Sequence, residues 1–144
     1  MQPAKQLSLR NKNWKRNLKT FISLIKQKPI KFTIILFGSR ARGNYSALSD
    51  TDLLIITEKT NITLLEELTS LAYKADLIAP EIHLFEKNWA LKHFEENTIL
   101  LDAVYEGKVL LDNLKIIKTL KSKLKSLLSS GWYKNEKGWH KKLK

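Results

Sequence analysis

Phe32-Thr33-Ile34-Ile35-Leu36-Phe37-Gly38-Ser39-Arg40-Ala41-Arg42-Gly43, followed after a short link by Ser49-Asp50-Thr51-Asp52-Leu53-Leu54-Ile55-Ile56, decides how this chain folds. Residues 32–37 are almost wholly apolar and rich in β-branched and aromatic side chains, the composition of a strand covered on both faces. Gly38 stops that strand and lets the backbone turn sharply, with room for a ligand to come close to the main chain. Ser39 is placed to cap a short helix through Arg40 to Arg42, whose free N–H groups, with the serine hydroxyl, face an anion. The two arginines reinforce that site. The returning strand begins Asp50-Thr51-Asp52, and carboxylates at i and i+2 project from one face, roughly 6.6 Å apart at about 3.3 Å per residue. Antiparallel pairing, which so short a link allows, sets them against the Gly38–Ser39 turn. Two carboxylates beside a phosphate cradle suit Mg²⁺, which favours carboxylates, waters and substrate phosphates, and a nucleoside triphosphate is the matching ligand. The chain has no Gly-x-x-x-x-Gly-Lys-Ser/Thr element, so a P-loop NTPase is not supported.

Gly38-Ser39, ten intervening residues and Asp50-Thr51-Asp52 resemble the Gly-Ser-x10-Asp-x-Asp signature of the DNA polymerase β-like nucleotidyltransferase superfamily, and most of all its minimal nucleotidyltransferase (MNT) branch. The resemblance spans roughly residues 14–112, with its specific part in residues 36–56. It implies an α/β fold, a small mixed sheet packed by helices. It also implies Asp50 and Asp52 as catalytic metal ligands for two Mg²⁺ ions, Gly38, Ser39, Arg40 and Arg42 as nucleotide-binding residues, and ATP as the AMP donor.

At 144 residues, 43% of them hydrophobic, the chain suits one domain with a real core. With no cysteine it has neither disulfides nor thiolate zinc sites. No apolar run reaches the length of a membrane span and the start lacks the hydrophobic core of a signal peptide, so a cytoplasmic protein is expected. The +12 charge is uneven: residues 1–31 hold 9 Lys/Arg and no acid, residues 32–112 hold 7 against 13 acids, and residues 113–144 hold 10 against 1. Basic ends suit an acidic protein partner or nucleic acid, or serve solubility alone.

In order, the reading is a basic N-terminal arm (1–12), a nucleotidyltransferase domain (13–112), and an amphipathic helix with a basic aromatic tail (113–144). Trp14, Leu18, Phe21, Ile22 and Ile25 recur at helical spacing, and Pro29 closes that helix. Thr63-Leu64-Leu65-Glu66 reads as a capping box opening a helix to about Lys74. A strand over Glu81–Phe85, reached by a crossover, is expected to lie parallel to the second strand, which brings Glu81 near Asp50 and Asp52. In the superfamily an acid on this strand commonly completes the site and can take the proton of the attacking hydroxyl. Glu81 is the candidate here, as catalytic residue and metal ligand. The usual residue is an aspartate in an Asp-Leu or Asp-Val pair, so Asp76-Leu77 is one alternative, though it precedes Pro80, and a site with no third acid, as in small family members with a weakened third position, is the other. His83 shares the face of Glu81 and is a candidate base or substrate contact.

Short helices are expected around Trp89–Phe94 and Ile99–Tyr105, then an edge strand over Val109–Leu111. The last helix carries Leu114, Ile117, Leu120, Leu124, Leu127 and Leu128 on one side and lysines on the other. The tail from Trp132 to Lys142 interleaves aromatics with lysines, able to stack on bases or to fold onto its own domain. Small proteins of the MNT branch are commonly antitoxins of HEPN-domain toxins, some transferring AMP to a toxin tyrosine. The alternative is a non-catalytic protein on the same fold that binds nucleic acid or neutralises a toxin by occlusion.

Overall fold

The apolar run Phe32–Phe37 forms strand β1, buried at every position, at the centre of a four-stranded mixed sheet. The computed structural model describes residues 3–143. β2 (Thr51–Thr57) pairs antiparallel with β1, placing Phe37 opposite Asp52. β3 (Pro80–Glu86) pairs parallel with β2, placing Asp52 opposite Glu81 and Leu54 opposite His83. β4 (Lys108–Asp112) pairs antiparallel with the other side of β1, giving the order β3-β2-β1-β4.

Because side chains alternate along a strand, the sheet has two buried faces. Ile34, Leu36, Leu53 and Ile55 pack against α2 (Trp14–Lys26) and α4 (Ile62–Lys74). Ile35, Phe37, Leu54 and Ile56 pack against α5 (Lys87–Lys92), a 3-10 turn at Phe94–Glu96, α6 (Thr98–Glu106) and α7 (Ile117–Ser129). The small mixed sheet packed by helices, the parallel third strand and the edge strand match the expected architecture. No helix among the described residues is long and apolar enough to cross a membrane.

Several local expectations are corrected. The stretch read as a loose basic arm is a helix, α1 (Pro3–Lys12), tied down by Arg10 beside Asp76 at 3.7 Å and by Asn11, whose Oδ1 accepts from Arg40. Thr63 does not open α4; Asn61 does, its Oδ1 accepting from the Leu64 N–H at 2.7 Å, so the cap lies two residues earlier. The last helix starts at Ile117, with the Asp112 carboxylate accepting from the N–H groups of Ile116 and Ile117. The aromatic tail takes the second of its two readings and folds onto its own domain, as a hairpin, β5 (Trp132–Asn135) and β6 (Gly138–Lys141), against α6.

Candidate active site

β1 ends at Gly38 with φ +75° and ψ −161°, after which Ser39–Arg42 makes one helical turn, α3. A side chain here would be strained, and a Cβ would overlap the Asp52 carboxylate, so glycine is what lets the turn and the acid share one corner. Gly38, not Ser39, occupies the cap position, and the serine makes no capping hydrogen bond. The leading N–H groups of the turn lack intrahelical partners, and Ser39 lines the pocket beside them.

The register of β2 and β3 does the rest. Asp52, Glu81 and His83 project from the α6 side of the sheet and offer ligand atoms lying within 4.8 Å of one another. Thr51 fixes that register: its buried hydroxyl donates to the Ile78 carbonyl at 2.7 Å, and its N–H reaches the Ile78 and Ala79 carbonyls. The loop so held contains Ala79 at φ +41°, a left-handed conformation an alanine adopts only at a cost of about 1–2 kcal/mol.

Burial, then hydrogen bonding and repulsion from Glu81, and then the charge of Asp50, push the Asp52 carboxyl up to about 6, against a small opposing pull from Arg42. Burial lowers the His83 pKa, against the pull of Glu81, so the imidazole is neutral near pH 7.

An open pocket of about 500 Å³ joins these parts, lined by Phe37, Gly38, Ser39, Arg42, Leu48, Ser49, Asp50, Asp52, Glu81, His83, Asp102, Glu106 and Lys134. Six of the seven expected site residues are therefore brought together. Asp50 is an exposed part of the wall just before β2, outside the Asp52–Glu81–His83 set. Asp76 lies in the turn after α4, paired with Arg10 on the surface, so the alternative third acid is not near.

Arg40 is the seventh, and it points elsewhere. It is 1% exposed, its guanidinium lies over Trp14 and Tyr45 at 5.2 and 4.9 Å, and it donates to the carbonyls of Ser46 and Ser49 and to Asn11. Its work is to lock α1, α2 and the loop leading to Asp50. Arg42 remains at the pocket, donating to Glu106 Oε1 at 2.9 Å.

Asp102, Glu106 and Lys134 had not been anticipated. The two acids stand at i and i+4 on α6, a spacing that signals a shared face. Lys134 comes from β5, and only the docked hairpin reveals it.

A family model described as Polymerase beta, Nucleotidyltransferase matches residues 19–123. No match was found among curated protein sequences. A toxin–antitoxin crystallised with AMP-PNP has a similar fold, with a TM-score of 0.53 and 23% identity over 77% of this chain and 86% of that one. Two mutants of the toxin–antitoxin MntA-HpeT match at the same TM-score. One, with a tyrosine changed to alanine, shares 23% identity over 77% of this chain and 85% of that one. The other, with two aspartates two residues apart changed to glutamate, shares 22% identity over 78% and 86%. At these identities the likeness concerns the fold alone.

Proposed function

The chain belongs to the polymerase β nucleotidyltransferase family, and from that premise we propose that it moves AMP from ATP to an acceptor hydroxyl on a partner protein, as an MNT-type antitoxin acting on a HEPN toxin. The observation that carries the chemistry is the convergence of the Gly38–Ser39 turn with Asp52, Glu81 and His83 in one pocket. The partner assignment draws on the MNT resemblance and on the toxin–antitoxin folds the chain is similar to, one of them solved with AMP-PNP and another altered at a pair of aspartates spaced like Asp50 and Asp52.

The donor set fits a divalent cation. Burial, and after it the hydrogen bond and repulsion from Glu81, raise the proton affinity of Asp52, a penalty that a bound cation would relieve, and the neutral His83 adds a nitrogen beside them. Asp52 and Glu81, with Asp50 from the wall, would hold Mg²⁺, which supplies charge neutralisation at the phosphates and acidifies the acceptor hydroxyl.

In the reaction the acceptor oxygen attacks the α-phosphorus, its bond forms as the bond to the bridging β-phosphate oxygen breaks, and pyrophosphate departs. Glu81 or the neutral His83 takes the hydroxyl proton. Gly38 leaves the main chain uncovered for the phosphates and Ser39 supplies a hydroxyl donor. Arg42 offers its spare guanidinium donors to the charge building on the leaving group.

The test is incubation with ATP labelled at the α- or γ-phosphate, Mg²⁺ and the protein encoded by the adjacent reading frame. Transfer of the α label alone, abolished by Asp52→Asn, supports the reading. Transfer of the γ label, or α-label transfer unchanged by Asp52→Asn, overturns it. Tight co-purification with full toxin inhibition by Asp52→Asn would favour occlusion instead.

A further inference from the structure

We infer that Lys134, brought to the site by the β5–β6 hairpin, binds the β- and γ-phosphates of the donor nucleotide and with Arg42 makes a two-cation grip. The inference deepens the nucleotidyl-transfer reading and rests on it. A triphosphate needs positive charge, yet the pocket wall carries the acids Asp50, Asp52, Glu81, Asp102 and Glu106 against two permanent cations, Arg42 and Lys134. Arg40, the second arginine of the motif, is spent inside the fold, so the second cation has to come from elsewhere.

Glu106 sets the pair side by side. Its side chain is 14% exposed; Oε1 accepts from Arg42 at 2.9 Å and Oε2 stands 3.7 Å from Lys134 Nζ, so one carboxylate holds two like charges on one wall of the pocket. Lys134 also donates to Asp102 Oδ1 at 2.7 Å. An ammonium has three donors, and these acids leave it capacity for a phosphate oxygen. The hairpin that carries Lys134 lies beyond residues 19–123, the part of the chain that the family model matches.

Lys134 is not alone in holding the hairpin in place. Its register partner Trp139 donates from Nε1 to the same Asp102 oxygen at 2.9 Å and meets Tyr105 edge-on at 5.2 Å. A staple and a phosphate contact can therefore be separated by mutation.

Calorimetric titration of a non-hydrolysable ATP analogue and of AMP, each with Mg²⁺, into the full chain and into Lys134→Met, Lys134→Arg and Trp139→Phe decides the matter, with circular dichroism checking the fold. Lys134→Met should weaken the ATP analogue roughly 10- to 100-fold, the size of one charge-assisted hydrogen bond, and AMP by less than about twofold. Lys134→Arg should restore most of the loss, and Trp139→Phe should leave the ratio of the two affinities unchanged. An unchanged ratio in Lys134→Met, with the unaltered chain binding both nucleotides, overturns this inference alone. Failure of the unaltered chain to bind either nucleotide overturns the nucleotidyl-transfer reading together with it.

Discussion

The corner between β1 and β2 and the hairpin after α7 both contribute to the pocket, but they are built on different physical terms. At the corner, position follows from chain geometry: a glycine with positive φ, a one-turn helix and an antiparallel register fix Gly38, Ser39 and Asp52 within one short segment. At the hairpin, Lys134 reaches the site through contacts made across the fold, to Asp102 and Glu106 on α6. The corner can therefore be broken by a single backbone change. The hairpin should respond in graded fashion, since Trp139 and Lys134 share the work of docking it.

The largest expected effect on activity belongs to the corner. Gly38→Ala adds a Cβ that overlaps the Asp52 carboxylate at a backbone angle costing about 1–3 kcal/mol, so transfer should be lost and the melting temperature should fall. An active, undisturbed Gly38→Ala protein would show that the corner is looser than its geometry implies.

Next come the two arginines, which the comparison separates. Arg40→Met should destabilise the fold by about 2–4 kcal/mol in denaturant titration, because it removes hydrogen bonds of a buried charged group and its stacking on Trp14 and Tyr45. Arg42→Met, at an exposed position, should leave stability nearly intact and weaken ATP-analogue binding roughly tenfold, as for one charge-assisted hydrogen bond.

The pH dependence follows from Asp52. Its folded pKa lies above its ordinary value of 3.8, so its contribution favours the fold below about pH 4 and is lost as pH rises through about 6. In chelator the melting temperature should therefore drift down across that window, and the drift should be smaller in Asp52→Asn. Mg²⁺ affinity should run the other way, rising from pH 5 to 7 as Asp52 gives up its proton.

Trp139→Phe is the mildest change. Loss of its hydrogen bond to the Asp102 carboxylate should cost about 1–2 kcal/mol of hairpin docking, read as faster amide exchange in β5 and β6.

Much of this was legible in the sequence wherever local chemistry decided the outcome. The apolar run of β1, the glycine that ends it, the spacing to Asp50 and Asp52, and a crossover long enough to make β3 parallel were sufficient to place Glu81 opposite Asp52. Readings failed where long-range contacts decided. Nothing near Arg40 in sequence announces that Trp14 and Tyr45 enclose it, and α1, which has no apolar stripe to signal docking, meets the fold through polar contacts to Arg40 and Asp76. Asn61 and Thr63 are both good caps, and only the backbone distinguishes them. Lys134 is one of many lysines until the hairpin docks.

Titration of a non-hydrolysable ATP analogue into the protein with Mg²⁺, with chelator, and into Asp52→Asn with Mg²⁺ tests the central claim most directly. The account predicts binding with Mg²⁺ that is lost both in chelator and in Asp52→Asn. Equal affinity in all three, or no binding in any, would contradict it.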